Sequence, residues 1–231
     1  MLSMKICTLR TAIIVSHTTR RTVPRAFALS SRRAPFSITS LSMSRVSGPI
    51  TKDHRELEEY YNRIIDSKDA DEQKRYQNQF VWELARHSIA EEIVVYPAIE
   101  KSVTDGVTIA NKDRTEHQKG KGAQSQIKEQ LYDFQSMSPE QPEFLPTITR
   151  LWDDLSQHIK EEEEEDLPRL EKALDLEESE RLAKSFQRTK HFVPTHSHPS
   201  APDKPPFETV VGMMTAPIDK LMDMFKKFPK D

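Results

Sequence analysis

His87-Ser88-Ile89-Ala90-Glu91 is the stretch on which the reading of this chain turns. An imidazole and a carboxylate four residues apart lie on one face of an α-helix, one turn apart. The same spacing returns at His158-Ile159-Lys160-Glu161-Glu162. A lone His stands upstream of each pair, His54 before His87 and His117 before His158. The order is therefore His, His-x-x-x-Glu, and then the same again. Four His and two Glu in that order are what a two-metal carboxylate site inside a helical bundle requires.

Working outward, each of these residues falls within a helical run. Ile50, His54, Leu57, Tyr61 and Ile64 form one stripe of a first helix that begins near Ser47 to Thr51 and ends near Asp66. Tyr76, Phe80, Leu84, His87, Glu91, Val94 and Ala98 form the stripe of a second, from about Ala70 to Lys101, with Pro97 expected to bend or loosen it locally. A carboxylate there stands where the pattern asks for an apolar side chain, and a buried carboxylate needs a cation. Thr104-Asp105-Gly106 reads as a turn. The third helix carries His117 on a poor apolar stripe, and Gly120 and Gly122 lead us to expect a break near 120–125. The fourth, from about Glu143 to Leu174, has the stripe Phe144, Ile148, Leu151, Leu155, His158 and Glu162, with a kink expected at Pro168. A short fifth helix follows from about Glu177 to Lys190. The Pro-rich stretch from Val193 to Pro206 reads as an extended linker, and Ile218, Leu221, Met222 and Phe225 as a small amphipathic helix expected to pack on the body. The expected fold is all-α, an up-down four-helix bundle with a short extra helix and a tail.

Composition agrees. Of 231 residues, 31% are charged, 35% are hydrophobic and five are Gly, a profile that suits amphipathic helices and not a β-sandwich. A single Cys, Cys7, excludes an internal disulfide framework and a thiolate metal cluster, so a metal would use N and O ligands. No apolar run approaches the ~20 residues of a membrane span. Residues 1–50 hold eight Lys/Arg and no acid, and removing those eight charges from the net −3 leaves −11 on the rest. An acidic body argues against nucleic acid as a partner. Residues 1–45 have the Arg-, Ser- and Thr-rich, acid-free composition of a mitochondrial transit peptide, and initiation at Met43 would give a leaderless cytoplasmic form. We thus divide the chain into a leader (1–45), a helical domain (47–190) and a linker with a short helix (191–231).

One inward His is ordinary; four, one per helix, two of them followed by Glu at the fourth residue, point to metal. The candidate metal ligands are His54, His87, Glu91, His117, His158 and Glu162. With Asp53-His54, His87 to Glu91-Glu92 followed by Tyr96-Pro97, Glu116-His117, and His158 to Glu162-Glu163, the chain resembles the hemerythrin-like HHE cation-binding family over about residues 47–190. The resemblance implies an up-down four-helix bundle around two non-haem iron ions. It implies His54 and His87 on one iron, His117 and His158 on the other, and Glu91 and Glu162 as bridges. Lys121 stands where the family's oxygen carriers have a second His, which favours sensing, storage or redox chemistry over reversible O2 carriage.

Other side chains read more simply. Glu58 and the run from Glu161 to Asp166, Glu162 apart, read as solvated faces; Glu92 as an outer or surface residue; Tyr61 and Tyr96 as packing; and His196 and His198 as exposed linker residues. Glu163, five residues after His158, could take the place of Glu162. The functional expectation is a metal-binding protein with iron, or another divalent metal, as cofactor and O2 or a similar small ligand as partner. A di-iron oxidoreductase acting on peroxide, NO or damaged iron centres, and a structural Zn bundle, are the alternatives.

Overall fold

A computed structural model of the chain describes residues 45–117, 127–198 and 207–230, with backbone alone for 116–117 and 207–214. The leader up to residue 44 and the Gly120–Gly122 stretch with Lys121 lie outside the described residues. Every regular element described is helical: α1 (Ser47–Asp66), α2 (Ala70–Ala90), α3 (Tyr96–Ser102), α4 (Gly106–His117), α5 (Ile127–Gln135), α6 (Phe144–Glu161), α7 (Leu167–Ala173), α8 (Leu176–Thr189) and α9 (Phe207–Asp223). α2 runs on into α3 through a π-helical turn, Glu91–Val95, and α6 into α7 through another, Glu162–Asp166. The bundle is thus made of α1, α2–α3, α4 with α5, and α6–α7, with α8 laid against it.

The two π turns have one cause. Proline follows each His-x-x-x-Glu His by ten residues, as Pro97 and Pro168. Proline lacks an N–H and its ring clashes with the carbonyl four residues back. The chain answers with a wider turn: the Tyr96 N–H bonds to the Glu91 carbonyl and the Leu167 N–H to the Glu162 carbonyl, each five residues back. Each helix is thereby loosened just ahead of its proline, as expected at Pro97, and carries on beyond it. Through the first π turn and just after it, Glu91, Glu92, Val94, Val95 and Tyr96 are all buried.

Caps come from the rest of the fold as well as from local sequence. Asp69 and Asp175 accept hydrogen bonds from the N–H groups of Asp71 and Glu178, starting α2 and α8. α1 has no side-chain cap of its own. Instead the Ser47 N–H donates to Glu171 of α7 at 3.0 Å and the Val46 N–H to Ser179 of α8 at 2.9 Å. The expected turn at Thr104-Asp105-Gly106 is present. Asp105 adopts a positive φ of 60°, and a Cβ on Gly106 would sit 2.0 Å from the Ile99 carbonyl oxygen.

The apolar core falls into two clusters. One gathers Leu57, Phe80, Leu84, Phe134, Phe144 and Leu151; the other Ile50, Val95, Tyr96, Ile99, Leu170 and Phe186. Along α1, Ile50 belongs to one and Leu57 to the other, with His54 between them. A polar layer thus crosses the bundle between two apolar ones.

Two tail expectations need correction. The last helix starts at Phe207, well before Ile218, and Ile218, Leu221, Met222 and Phe225 all point to solvent, while Ala216 and Asp219 are buried. His196 is only 12% exposed, paired with Asp219 and Asp223, and His198 Nε2 lies 3.0 Å from Asp219. The acids of α9 supply the buried polar partners that the linker histidines need.

Candidate metal centre

His54 from α1, His87 from α2, and Glu91 and Glu162 from the starts of the two π turns converge between the two apolar clusters. All four are buried, and one ligand atom from each lies within 4.8 Å of the others. His54 Nε2 and His87 Nε2 face one another at 3.2 Å. His87 Nε2 lies 2.8 Å from Glu91 and His54 Nε2 lies 3.3 Å from Glu162. Neither Glu162 oxygen has a well-aligned hydrogen-bond donor among the described residues.

The outer nitrogens explain the inner ones. Glu163 lies 2.7 Å from His54 Nδ1 and Asp53 lies 3.2 Å from His87 Nδ1. An ionised carboxylate only accepts, so each Nδ1–H donates outward and each Nε2 turns its lone pair inward. Two imidazole lone pairs and two carboxylates then crowd one buried point, which requires positive charge there. This donor set, N and O with no thiolate, fits a divalent metal of the iron or zinc class. In the metal-free cluster protons do that work. Burial opposes a charge on His87, yet Glu91 and Asp53 push its pKa up to about 10. His54 is likewise raised, against burial, by Glu162 and Glu163. Burial would raise Glu162, but His54 first, then His158 and His87, hold it down at about 2.

Of the six expected ligands, the structure gathers His54, His87, Glu91 and Glu162. His158 is buried one turn before Glu162 and acts on its charge, but stands outside the four-atom group. The side chain of His117 lies outside the described residues. Glu163 contacts His54 as an orienting group, with Arg55 on its far side. Glu92, expected as an outer or surface residue, is outside the four-atom group but fully buried, paired with Lys128 at 2.9 Å. Glu92 lies about 100° round the helix from Glu91, off the stripe that passes through His87, so that stripe did not mark it as buried. Tyr61 stacks on Trp152 at 4.8 Å. Tyr96 is buried, and burial with the nearby Glu91 raises its phenol well above the ordinary value. Glu58 is exposed beside Arg55, as expected. Asp53, Glu56 and Glu83 form a second group with metal-like spacing, but the Lys190 ammonium binds both Asp53 and Glu83 there.

Fold and site together define a helical-bundle protein with a buried His/carboxylate cluster suited to a metal ion. Residues 48–170 match the family model for the hemerythrin HHE cation binding domain. The chain is 55% identical over 196 residues to a hemerythrin-like protein of Schizosaccharomyces pombe, covering 84% of this chain and 93% of that one. It therefore belongs to the hemerythrin HHE cation-binding domain family. A protein of Nostoc described as a DNA nickase is 27% identical over 141 residues, 61% of this chain and 38% of its own length. In fold, the chain resembles a crystal structure of a hemerythrin HHE cation binding domain-containing protein from Mycobacterium kansasii, with a TM-score of 0.52 at 16% identity over 64% of this chain and 86% of that one.

Proposed function

We propose that this protein is a non-haem di-iron protein of hemerythrin type that binds O2 or a related small ligand, or senses or stores iron. The observation that carries the reading is the pair of inward imidazole nitrogens 3.2 Å apart beside two buried carboxylates. His54, His87, Glu91 and Glu162 would hold metal, with His158 and His117 completing a second set. Bound iron would supply reversible redox chemistry and coordination positions open to a small ligand. The chain's own residues prepare the place. Asp53 and Glu163 fix the tautomer and ring orientation of His87 and His54. The apolar clusters above and below keep bulk water away. Lys128 compensates the buried charge of Glu92. Lys121 in place of a His favours sensing, storage or redox chemistry over oxygen carriage. We carry no DNA chemistry over from the Nostoc relative, given the acidic body. Residues 1–45 are proposed to direct the chain to mitochondria, which a fluorescent fusion with and without those residues tests.

The deciding experiment is metal analysis of protein produced with iron present, followed by optical spectra with and without O2. Two irons per chain and a spectrum that responds to O2 are expected. Catalytic turnover of peroxide or NO would make it an oxidoreductase instead. A colourless, redox-silent protein with one Zn would overturn the proposal.

A further inference from the structure

The last helix is mounted the wrong way round for a helix that only packs on its own bundle. An amphipathic helix normally buries its apolar stripe. Here the polar side of the last turns of α9, from Thr215 on, faces the protein: Asp219 accepts from the Thr195 N–H at 3.1 Å and from His198, and Asp223 from the Thr195 hydroxyl at 2.6 Å. The chain beyond it is fastened too, with the Lys227 carbonyl accepting from Asn78 at 2.7 Å and the Phe228 carbonyl from Arg75 at 2.9 Å. That anchoring leaves Ile218, Leu221, Met222, Met224 and Phe225 outward, each more than half exposed and Phe225 81% exposed. Phe192, 70% exposed, extends the patch, with Lys220 6.0 Å from its ring.

Charge decides what this face fits. Lys220, Lys227 and Lys230 are exposed around it, Lys227 reaching Asp71 at the rim. Asp219 and Asp223 are turned inward, so no acid stands on the outward face of residues 215–230. The patch is thus basic and apolar on a body that carries −11 over residues 51–231. We propose that the outward face of α9 docks on the surface of an anionic lipid bilayer. The exposed side chains gather on the last turns of α9, on Met224 and Phe225 just beyond it and on Phe192, an apolar patch that can enter among lipid headgroups while flanking lysines meet the lipid charge. A second copy of the chain fits worse, because a two-fold contact would set a basic patch against its own image, with Asp71 at the rim offsetting Lys227 alone.

Flotation of the full chain with vesicles tests this. Vesicles of phosphatidylcholine with about a third phosphatidylglycerol are compared with pure phosphatidylcholine. Partitioning about tenfold stronger onto the anionic vesicles is expected, weakening in ~0.5 M salt. A Leu221→Glu, Phe225→Glu double variant alters only exposed side chains, so it should melt like wild type yet lose most of that partitioning. It keeps the basic residues 1–45, so undiminished binding by this variant overturns the proposal. Equal binding to neutral vesicles, or no binding to either, also overturns it. So does a wild-type dimer in analytical ultracentrifugation that the double variant dissociates.

Discussion

Asp53 and Glu163 are each next in sequence to one ligand candidate and in contact with another. Asp53 precedes His54 but holds His87, and Glu163 follows Glu162 but holds His54. Three helical runs are thereby locked to one another through the polar layer, and a fault in either carboxylate reaches a ring on a different helix. Removing such an orienting group typically costs 10–100-fold in metal affinity, as an order of magnitude. Asp53→Asn and Glu163→Gln should each weaken metal retention by about that factor against a competing chelator. Glu163→Gln is the cleaner test, because its other partner, Arg55, is exposed, whereas Lys190 beside Asp53 is largely buried. Unchanged retention in both variants would remove the orienting role. His87→Ala goes further and should lower iron content sharply, with full loading excluding His87 as a ligand. Sequence alone showed the inward candidates, because His and Glu interrupt apolar stripes. It did not show which carboxylate orients and which faces the centre, because that depends on how two helices meet.

At the scale of elements, α1 depends on a residue 124 positions away. Glu171 accepts from the Ser47 N–H and hydroxyl and from the Ser179 hydroxyl, and pairs with Arg45. Burial would raise its pKa, but the Ser47 N–H and the hydroxyl and guanidinium donors hold it below the usual Glu value. A carboxyl depressed in the folded state adds stability above its unfolded pKa of ~4.3 and loses it as the pH falls through the folded value. Glu171→Gln should therefore cost about 1–3 kcal/mol at neutral pH. The gap to wild type in denaturant melts should close as the pH is lowered below ~4. A constant gap down to pH ~2 would rule the carboxylate out as its source. The helices themselves were readable from apolar period and turn residues, with α1 and α8 found within a residue or two at each end. The orientation of α9 was not, since an apolar stripe gives no sign that His196 and His198 pin the opposite face. Nor were the π turns, because Pro97 and Pro168 signal a disturbance without saying whether the chain will kink or widen.

Across the whole molecule, the core trades cohesion for chemistry. His54, His87, Glu91 and Glu162 occupy volume between two apolar clusters that could otherwise be one. Ligand binding to the native state alone raises stability by mass action, so metal-loaded protein should melt higher than protein stripped by chelator. That comparison does not separate a metal that holds the fold from a fold that holds a metal. Replacing its four inward groups together does, since Asp53 keeps Lys190 and Glu163 keeps Arg55. Buried charged groups exchanged together for apolar side chains of similar volume often leave a protein as stable or more so, by about 1–4 kcal/mol, whereas removing one partner leaves a charge stranded. The quadruple variant His54→Leu, His87→Leu, Glu91→Met, Glu162→Met should therefore fold without metal. In denaturant melts it should exceed the metal-free wild type by roughly that amount, while His87→Leu alone falls below it. Circular dichroism would show the same helix content in all three. If the quadruple variant failed to fold, the polar layer would be needed to set the bundle's register. Its folding would mean that the layer is kept for what it binds and not for what it holds together.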